Sequence, residues 1–224
     1  QPPCIRCRLC GDMETISADN LRAVGIDLFE GCGAPREEAH TVADSLVEAS
    51  LVGLDSHGVI RYVQYVEDCL AGLVKAGAPI EIVSETASQA VVDCGFNFGQ
   101  VGGARMVEIA RDKAVATGMG FAVSRHCYHV GRIGAYVQQI AERGMIGLAV
   151  ASGSQEGHFV VPWGGREGRL ATSPLAFGAP GPERPLVVDM STSMISEGKI
   201  RALLHAGERL PEGRILDAEG QPST

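Results

Sequence analysis

The chain has 224 residues, 45% of them hydrophobic and 21% charged, enough for one large domain or two small ones around a real core. Its 27 acidic residues outnumber its 19 basic ones, for a net charge of -8, and no long Lys/Arg run exists to neutralise phosphates, which argues against nucleic acid as a partner. No stretch approaches the roughly 18 uninterrupted apolar residues of a spanning helix, and no basic segment followed by an apolar core opens the chain, so it reads as soluble, non-secreted and cytoplasmic.

Residues 1–12 carry Cys4, Cys7 and Cys10 at a spacing that suits an iron-sulfur or zinc site if a fourth ligand arrives from elsewhere. They have no periodicity, and the segment reads as an unstructured leader. The other four of the seven cysteines, Cys32, Cys69, Cys94 and Cys127, are scattered singly and read as reduced thiols. From Ser17 a capped helix runs to the stop at Gly31 and Gly33. A second helix follows Pro35, with Glu37 and Glu38 in its first turn and Ala39, Val42, Ala43, Leu46 and Val47 on one face. A third helix is expected over Ile60–Leu73. Ile80–Ser84 and Ala90–Cys94 are short β-branched runs that read as strands.

The middle of the chain alternates: helix over Gln100–Thr117, a short buried strand over Gly120–Ser124, helix over Ile133–Arg143, strand over Ile146–Ser152. Beyond Gly153 the sequence is dense in Gly and Pro. Long loops of this kind are uncommon unless they bind something. Leu186–Met190 reads as a last strand and Ser196–Ala206 as a last helix, and nothing after them resembles an element that closes a domain.

Three clusters can carry chemistry. In DSHGVIR, His57 and Arg61 are four apart and share a face if the segment is helical; a guanidinium binds a carboxylate while an imidazole moves a proton. The plainer alternative makes Ser56 a helix cap and leaves Arg61 to solvent. In SRHCYHVGRIGAY, Arg125, His126, His129 and Arg132 follow a strand, with Gly131 and Gly134 permitting a close backbone approach. His126 reads as a structural histidine and His129 as the acting one. His126, His129 and Asp189 also admit a metal-dependent hydrolase, although no third ligand of the usual spacing lies nearby. The third cluster comprises Thr172, Ser173 and Pro174 with Asp189, Ser191, Thr192 and Ser193 at predicted strand ends, where hydroxyls and a carboxylate can bond ribose, phosphate or amide groups. Gly164 and Gly165 can form an anion nest. Neither a Rossmann fingerprint nor a P-loop is present.

Together the stretches DSHGVIRYVQYV, VDCGFNFGQVGGARMVEIA, RHCYHVGRIGAYVQQIAERGMIG, VPWGGREGRLATSPLAFGAP and VVDMSTSMISEGK resemble the type-2 malate/L-lactate dehydrogenases. That family includes sulfolactate and ureidoglycolate dehydrogenases, 2,3-diketogulonate reductase and piperideine-2-carboxylate reductases. The resemblance runs from about Met13 to the end. It implies an NAD- or NADP-dependent oxidoreductase, usually a homodimer, that interconverts a 2-hydroxy and a 2-oxo acid or reduces a cyclic imine acid. It implies an α/β fold of non-Rossmann type: a mixed, largely antiparallel sheet with flanking helices and an N-terminal helical region. The expected organisation is a leader over 1–12, a helical region over 13–78 and a cofactor-binding domain over 79–224.

By the same resemblance Ser56, His57 and Arg61 line the substrate site, and His129 or His57 is the acid/base. Gly153, Ser154, Thr172, Ser173, Pro174, Asp189, Met190 and Ser191 fall at the cofactor, and no metal is implied. Two departures stand out. The family's usual Thr-Asn-Pro is Thr172-Ser173-Pro174 here, and Cys127 and Tyr128 replace smaller polar residues, which is expected to narrow the pocket or shift the preferred substrate. Family members continue beyond Thr224 into a further cofactor-contacting segment. The alternative expectation is therefore a truncated, inactive remnant.

Overall fold

A computed structural model describes residues 15–153, 157–205 and 207–224. The leader cysteines and Ser154 lie outside the described residues. Helix α1 (Ala18–Gly31) starts where Ser17 Oγ accepts the Asn20 N–H at 3.2 Å, satisfying a donor that the first helical turn leaves open. Helix α2 (Arg36–Leu51) follows Pro35, whose fixed φ suits a helix entrance. Their apolar stripes meet in a core of Phe29, Val42, Leu46, Tyr65 and Phe98, all shielded from solvent. The Phe29 ring stands edge-on to Tyr62 and Phe98 at 5.6 and 5.5 Å, the arrangement that aromatic quadrupoles favour.

The expected third helix is shorter than its apolar pattern. Asp55–His57 form a single 3-10 turn, Gly58 is extended, and α3 runs only over Arg61–Leu70. His57 and Arg61 therefore do not share a helical face. The cause is tertiary: the Val59 N–H donates to Ser50 Oγ at 3.2 Å, tying this segment to the end of α2 instead of to a helical carbonyl.

Strands β1 (Glu81–Glu85) and β2 (Gln89–Asp93) pair antiparallel, and helix α4 (Gly99–Thr117) carries the chain across to β3 (Phe121–Arg125), which lies parallel to β2. A parallel pair requires such a crossover. Ala90, Val92 and Ile109 form the core here, with Ala122 packed against it. Strand β3 is not buried as its apolar run suggests. It lies at the sheet edge, and Phe121 and Val123 on the face opposite Ala122 are 57% and 43% exposed.

The second sheet is an antiparallel meander of β4 (Gly147–Val150), β5 (Leu175–Ala179) and β6 (Leu186–Met190). Helix α5 (Gly134–Glu142) covers one face, where Val137 meets Ala176 and the small residues Ala149 and Gly178 let it approach. On the other face the register aligns Leu148, Phe177 and Val188 in one row and Val150, Leu175 and Met190 in the next. Most of that face is exposed.

Helix α6 (Glu197–His205) comes next, its Lys199 N–H bonded to Ser196 Oγ at 3.4 Å. The final residues, expected to hold no closing element, form a short ladder of β7 (Ile215–Leu216) and β8 (Pro222–Ser223). Asp217 Oδ1 accepts the N–H groups of Glu219 and Gln221 and so builds the turn between them. The result is a mixed α/β fold whose pairing is antiparallel except between β2 and β3. Among the described residues no helix is long and apolar enough to cross a membrane.

Candidate active site

Two of the three sequence clusters converge on one point. His57 at the end of the 3-10 turn and His129 in the loop after β3 stack with ring centroids 5.5 Å apart, although 72 positions separate them. Ser56 Oγ lies 2.9 Å from His57 Nδ1. Arg61 Nε donates to the Ser56 carbonyl at 2.8 Å and its Nη1 to Gln64 Oε1 at 2.6 Å, which fixes the guanidinium plane beside the two imidazoles. Ser56 is therefore no helix cap, since α3 has no side-chain cap.

Two residues that the sequence reading passed over complete this cluster. Tyr65 Oη contacts His129 Nδ1 at 2.6 Å, and Gln100 Nε2 donates to Tyr65 Oη at 2.8 Å. Tyr65 was findable: it lies four residues after Arg61, one helical turn along the same face of α3. Gln100 gave no such signal, because an amide in the first turn of a helix reads as solvent-exposed, whereas here it is 1% exposed.

Burial, with the fields of His57 and Arg61 added, pushes His129 down from 6.5 to about 3, so its ring is neutral at physiological pH. Burial pushes the Tyr65 hydroxyl well above its ordinary range, partly offset by the Gln100 bond.

The backbone at His129 depends on a glycine. A Cβ on Gly99, the first residue of α4, would strike the carbonyls of Tyr128 and His129, so only glycine lets this loop lie against the helix start. Gly198, buried near the start of α6, does the same against Ser56: a Cβ there would stand 2.5 Å from Ser56 Cβ and 3.4 Å from Arg61 Nη2. The DMSTSMISEGK stretch thus reaches the Ser56/Arg61 cluster through its last residues.

Cys127 and Tyr128, the departures from the family pattern, are placed differently from each other. Cys127 turns into the β2/α4 core beside Cys94 and Gly102 rather than toward the histidines. Tyr128 stands edge-on to Tyr65 at 5.3 Å and donates its hydroxyl to Asp68, supporting the tyrosine behind the site. His126 bonds Asp93 at 3.1 Å and stacks on Phe96, the structural part expected of it. His126 and His129 thus bond to different partners, and among the described residues no three His, Cys, Asp or Glu side chains are grouped to hold a metal.

The third cluster gathers at one end of the β4–β6 sheet. The Ala151 N–H donates to the Pro174 carbonyl at 3.2 Å, and Thr192 Oγ1 donates to the Thr172 and Ser173 carbonyls at 3.2 and 2.9 Å. Gly153 packs closely on Ala171, while Met190 pairs with Leu175 as the last residue of β6 and Ser191 follows it. Asp189 Oδ2 accepts the Gly134 N–H at 2.8 Å at the start of α5, where a carboxylate complements the helix dipole. The five residues after His129 therefore lead from the histidine pair to this strand-end group. Of the expected anion nest, Gly164 is exposed, and the Gly165 N–H donates to the Pro162 carbonyl at 2.9 Å.

The site is thus a His/Arg cluster in the helical region and a small-residue, hydroxyl-rich strand end in an α/β frame without a Rossmann turn. Comparison with known proteins makes the class definite. The malate/L-lactate dehydrogenase family model matches residues 16–224, and the chain belongs to that family. It is 36% identical over 206 residues to a malate dehydrogenase of Pyrococcus abyssi, covering 92% of this chain and 56% of that protein. It is 33% identical to the L-sulfolactate dehydrogenase of Methanocaldococcus jannaschii, covering 93% of this chain and 60% of the relative. The malate dehydrogenase structure from Entamoeba histolytica superposes with a TM-score of 0.89 at 29% identity, over 93% of this chain and 58% of that one. The chain thus spans a little over half the length of these relatives.

Proposed function

We propose that this chain forms the substrate site and part of the cofactor site of an NAD(P)-dependent dehydrogenase that interconverts a 2-hydroxy and a 2-oxo acid. The stacked His57/His129 pair beside Arg61 carries the reading. A 2-hydroxy acid offers a carboxylate and an adjacent oxygen, and the cluster offers a planar fork and two imidazoles side by side. The relatives named malate, sulfolactate and lactate dehydrogenase support the substrate class.

The residues at the strand end suit a dinucleotide. Gly153, Thr172, Ser173, Pro174, Asp189, Met190 and Ser191 present backbone, hydroxyl and carboxylate groups with little bulk, the donor set that ribose and amide groups need. Bound there, the nicotinamide would supply the hydride acceptor and donor. Arg61 holds the substrate carboxylate and so fixes which face of C2 is presented. Its bonds to Ser56 and Gln64 keep the guanidinium in one plane, which lowers the ordering cost of that clamp. The C2 oxygen gains negative charge as C2 accepts hydride, and His57 and His129, beside Arg61, would deliver a proton or a hydrogen bond to it. A homodimer belongs to the same reading.

The test is a fluorescence titration of the purified 224-residue chain with NADH and then NADPH. Saturable binding that is lost on Asp189→Ala together with Ser191→Ala supports the assignment. A folded chain that binds neither dinucleotide places the cofactor site outside these residues and favours an inactive remnant.

A further inference from the structure

We infer that Gln100 and Tyr65 are positioning residues that hold neutral His129 in its Nε2–H tautomer, so that His129 offers the substrate oxygen a hydrogen bond while His57 carries the proton. The inference rests on the reading of the histidine pair as the site of chemistry. It follows from counting protons along one buried chain. The Gln100 amide is oriented with Nε2 at 2.8 Å from Tyr65 Oη and Oε1 buried with no partner among the described residues; a carboxamide nitrogen only donates, so in this orientation the Tyr65 oxygen is an acceptor. The phenol has one proton of its own. Its nearest acceptor is His129 Nδ1 at 2.6 Å, while the His129 carbonyl is 3.5 Å away. The phenol proton therefore points at Nδ1, which must present a lone pair, and the single proton of the neutral ring sits on Nε2.

Burial makes this arrangement binding. Tyr65 is fully shielded and Gln100 nearly so, which leaves no ready exchange of either group with water to scramble the donors. Protonating His129 would set an Nδ1–H against the phenol proton and force that proton toward the distant carbonyl. Arg61, close by, opposes a second positive charge. His57 is placed differently. Its Nδ1 faces the hydroxyl of Ser56 at 2.9 Å, and a hydroxyl can either accept or donate. Ser56 can therefore follow His57 through a change of protonation, as Tyr65, committed by Gln100, cannot follow His129. The geometry gives the two imidazoles unequal tasks although they stack as a pair.

The experiment is a long-range proton–nitrogen correlation spectrum of the 224-residue chain labelled with 15N-histidine, with the His129 signals assigned by their loss in His129→Gln. The wild type should show an unprotonated Nδ1 and a protonated Nε2. Tyr65→Phe, which keeps the ring, should release His129 into a mixture of tautomers. Gln100→Glu should turn the phenol proton toward the new carboxylate and convert His129 to the Nδ1–H form. A wild-type spectrum with Nδ1 protonated, or a His129 pattern unchanged in Tyr65→Phe, overturns the inference. The wild-type spectrum decides even if the Gln100 variant fails to fold. Because the spectrum is read without cofactor or substrate, it is independent of the dinucleotide titration: failure of that binding leaves the tautomer standing, and the reverse also holds.

Discussion

The helical region around Phe29 and the β4–β6 sheet both carry apolar faces but close themselves to different degrees. Around Phe29, the elements α1, α2, α3 and the start of α4 shield Phe29, Leu46, Tyr65 and Phe98 completely. The β4–β6 sheet is covered by α5 on one face, and on the other leaves Leu148, Val150 and Leu186 between 59% and 69% exposed. The His/Arg cluster is anchored to the closed region through Tyr65, and the hydroxyl-rich strand end belongs to the open one. Rigid placement of His57, His129 and Arg61 is therefore a property of the helical region.

That contrast can be broken by mutation. The largest effect expected is on turnover: Arg61→Ala removes the proposed carboxylate clamp and should lower kcat/KM by about 10²–10⁴, and near-normal rates with a 2-oxo acid panel would refute that role. Phe29→Ala in the closed core should cost about 3–5 kcal/mol, read from urea midpoints. Val188→Thr on the open sheet face should stay within about 0.5 kcal/mol. Equal losses at the two positions would mean that the open face is covered in solution.

Smaller effects sharpen the link between core and site. Gly99→Ala forces a Cβ against two carbonyls and should destabilise by about 1–3 kcal/mol. It should also disturb the His129 imidazole resonances more than those of His126.

The pH dependence of stability separates His129 further. Its folded pKa of about 3 lies below the unfolded value of roughly 6.5. Its contribution is therefore complete above pH 6.5 and is lost as pH falls from there toward 3, with a slope of up to about 1.4 kcal/mol per pH unit. Denaturant midpoints for wild type and His129→Gln should converge over that window. A stabilising change belongs to the open region. Ser173 sits at φ 39°, a left-handed conformation that asparagine tolerates better than serine. Ser173→Asn should raise stability by up to about 1 kcal/mol, visible as an increase in Tm.

The sequence by itself determined the order of the elements and the chemistry of the clusters. Ser17, Pro35 and the apolar spacing of α2 specify their helices through local hydrogen bonding and steric preference, and Leu186–Met190 is a strand in sequence and structure alike. His57, Arg61 and His129 were legible because imidazole and guanidinium groups beside glycines are conspicuous whatever the fold. Tertiary structure alone decided what followed from long-range bonds. The Ser50–Val59 bond splits the third helix, the edge position of β3 exposes Phe121, and Cys127 turns into the core because Gly102 leaves room for its sulfur. Above all, Gln100 joins Tyr65 and His129 from 35 and 29 positions away. A hydrogen bond of that kind depends on three backbones meeting within a few ångströms, and no local pattern of residues encodes that meeting.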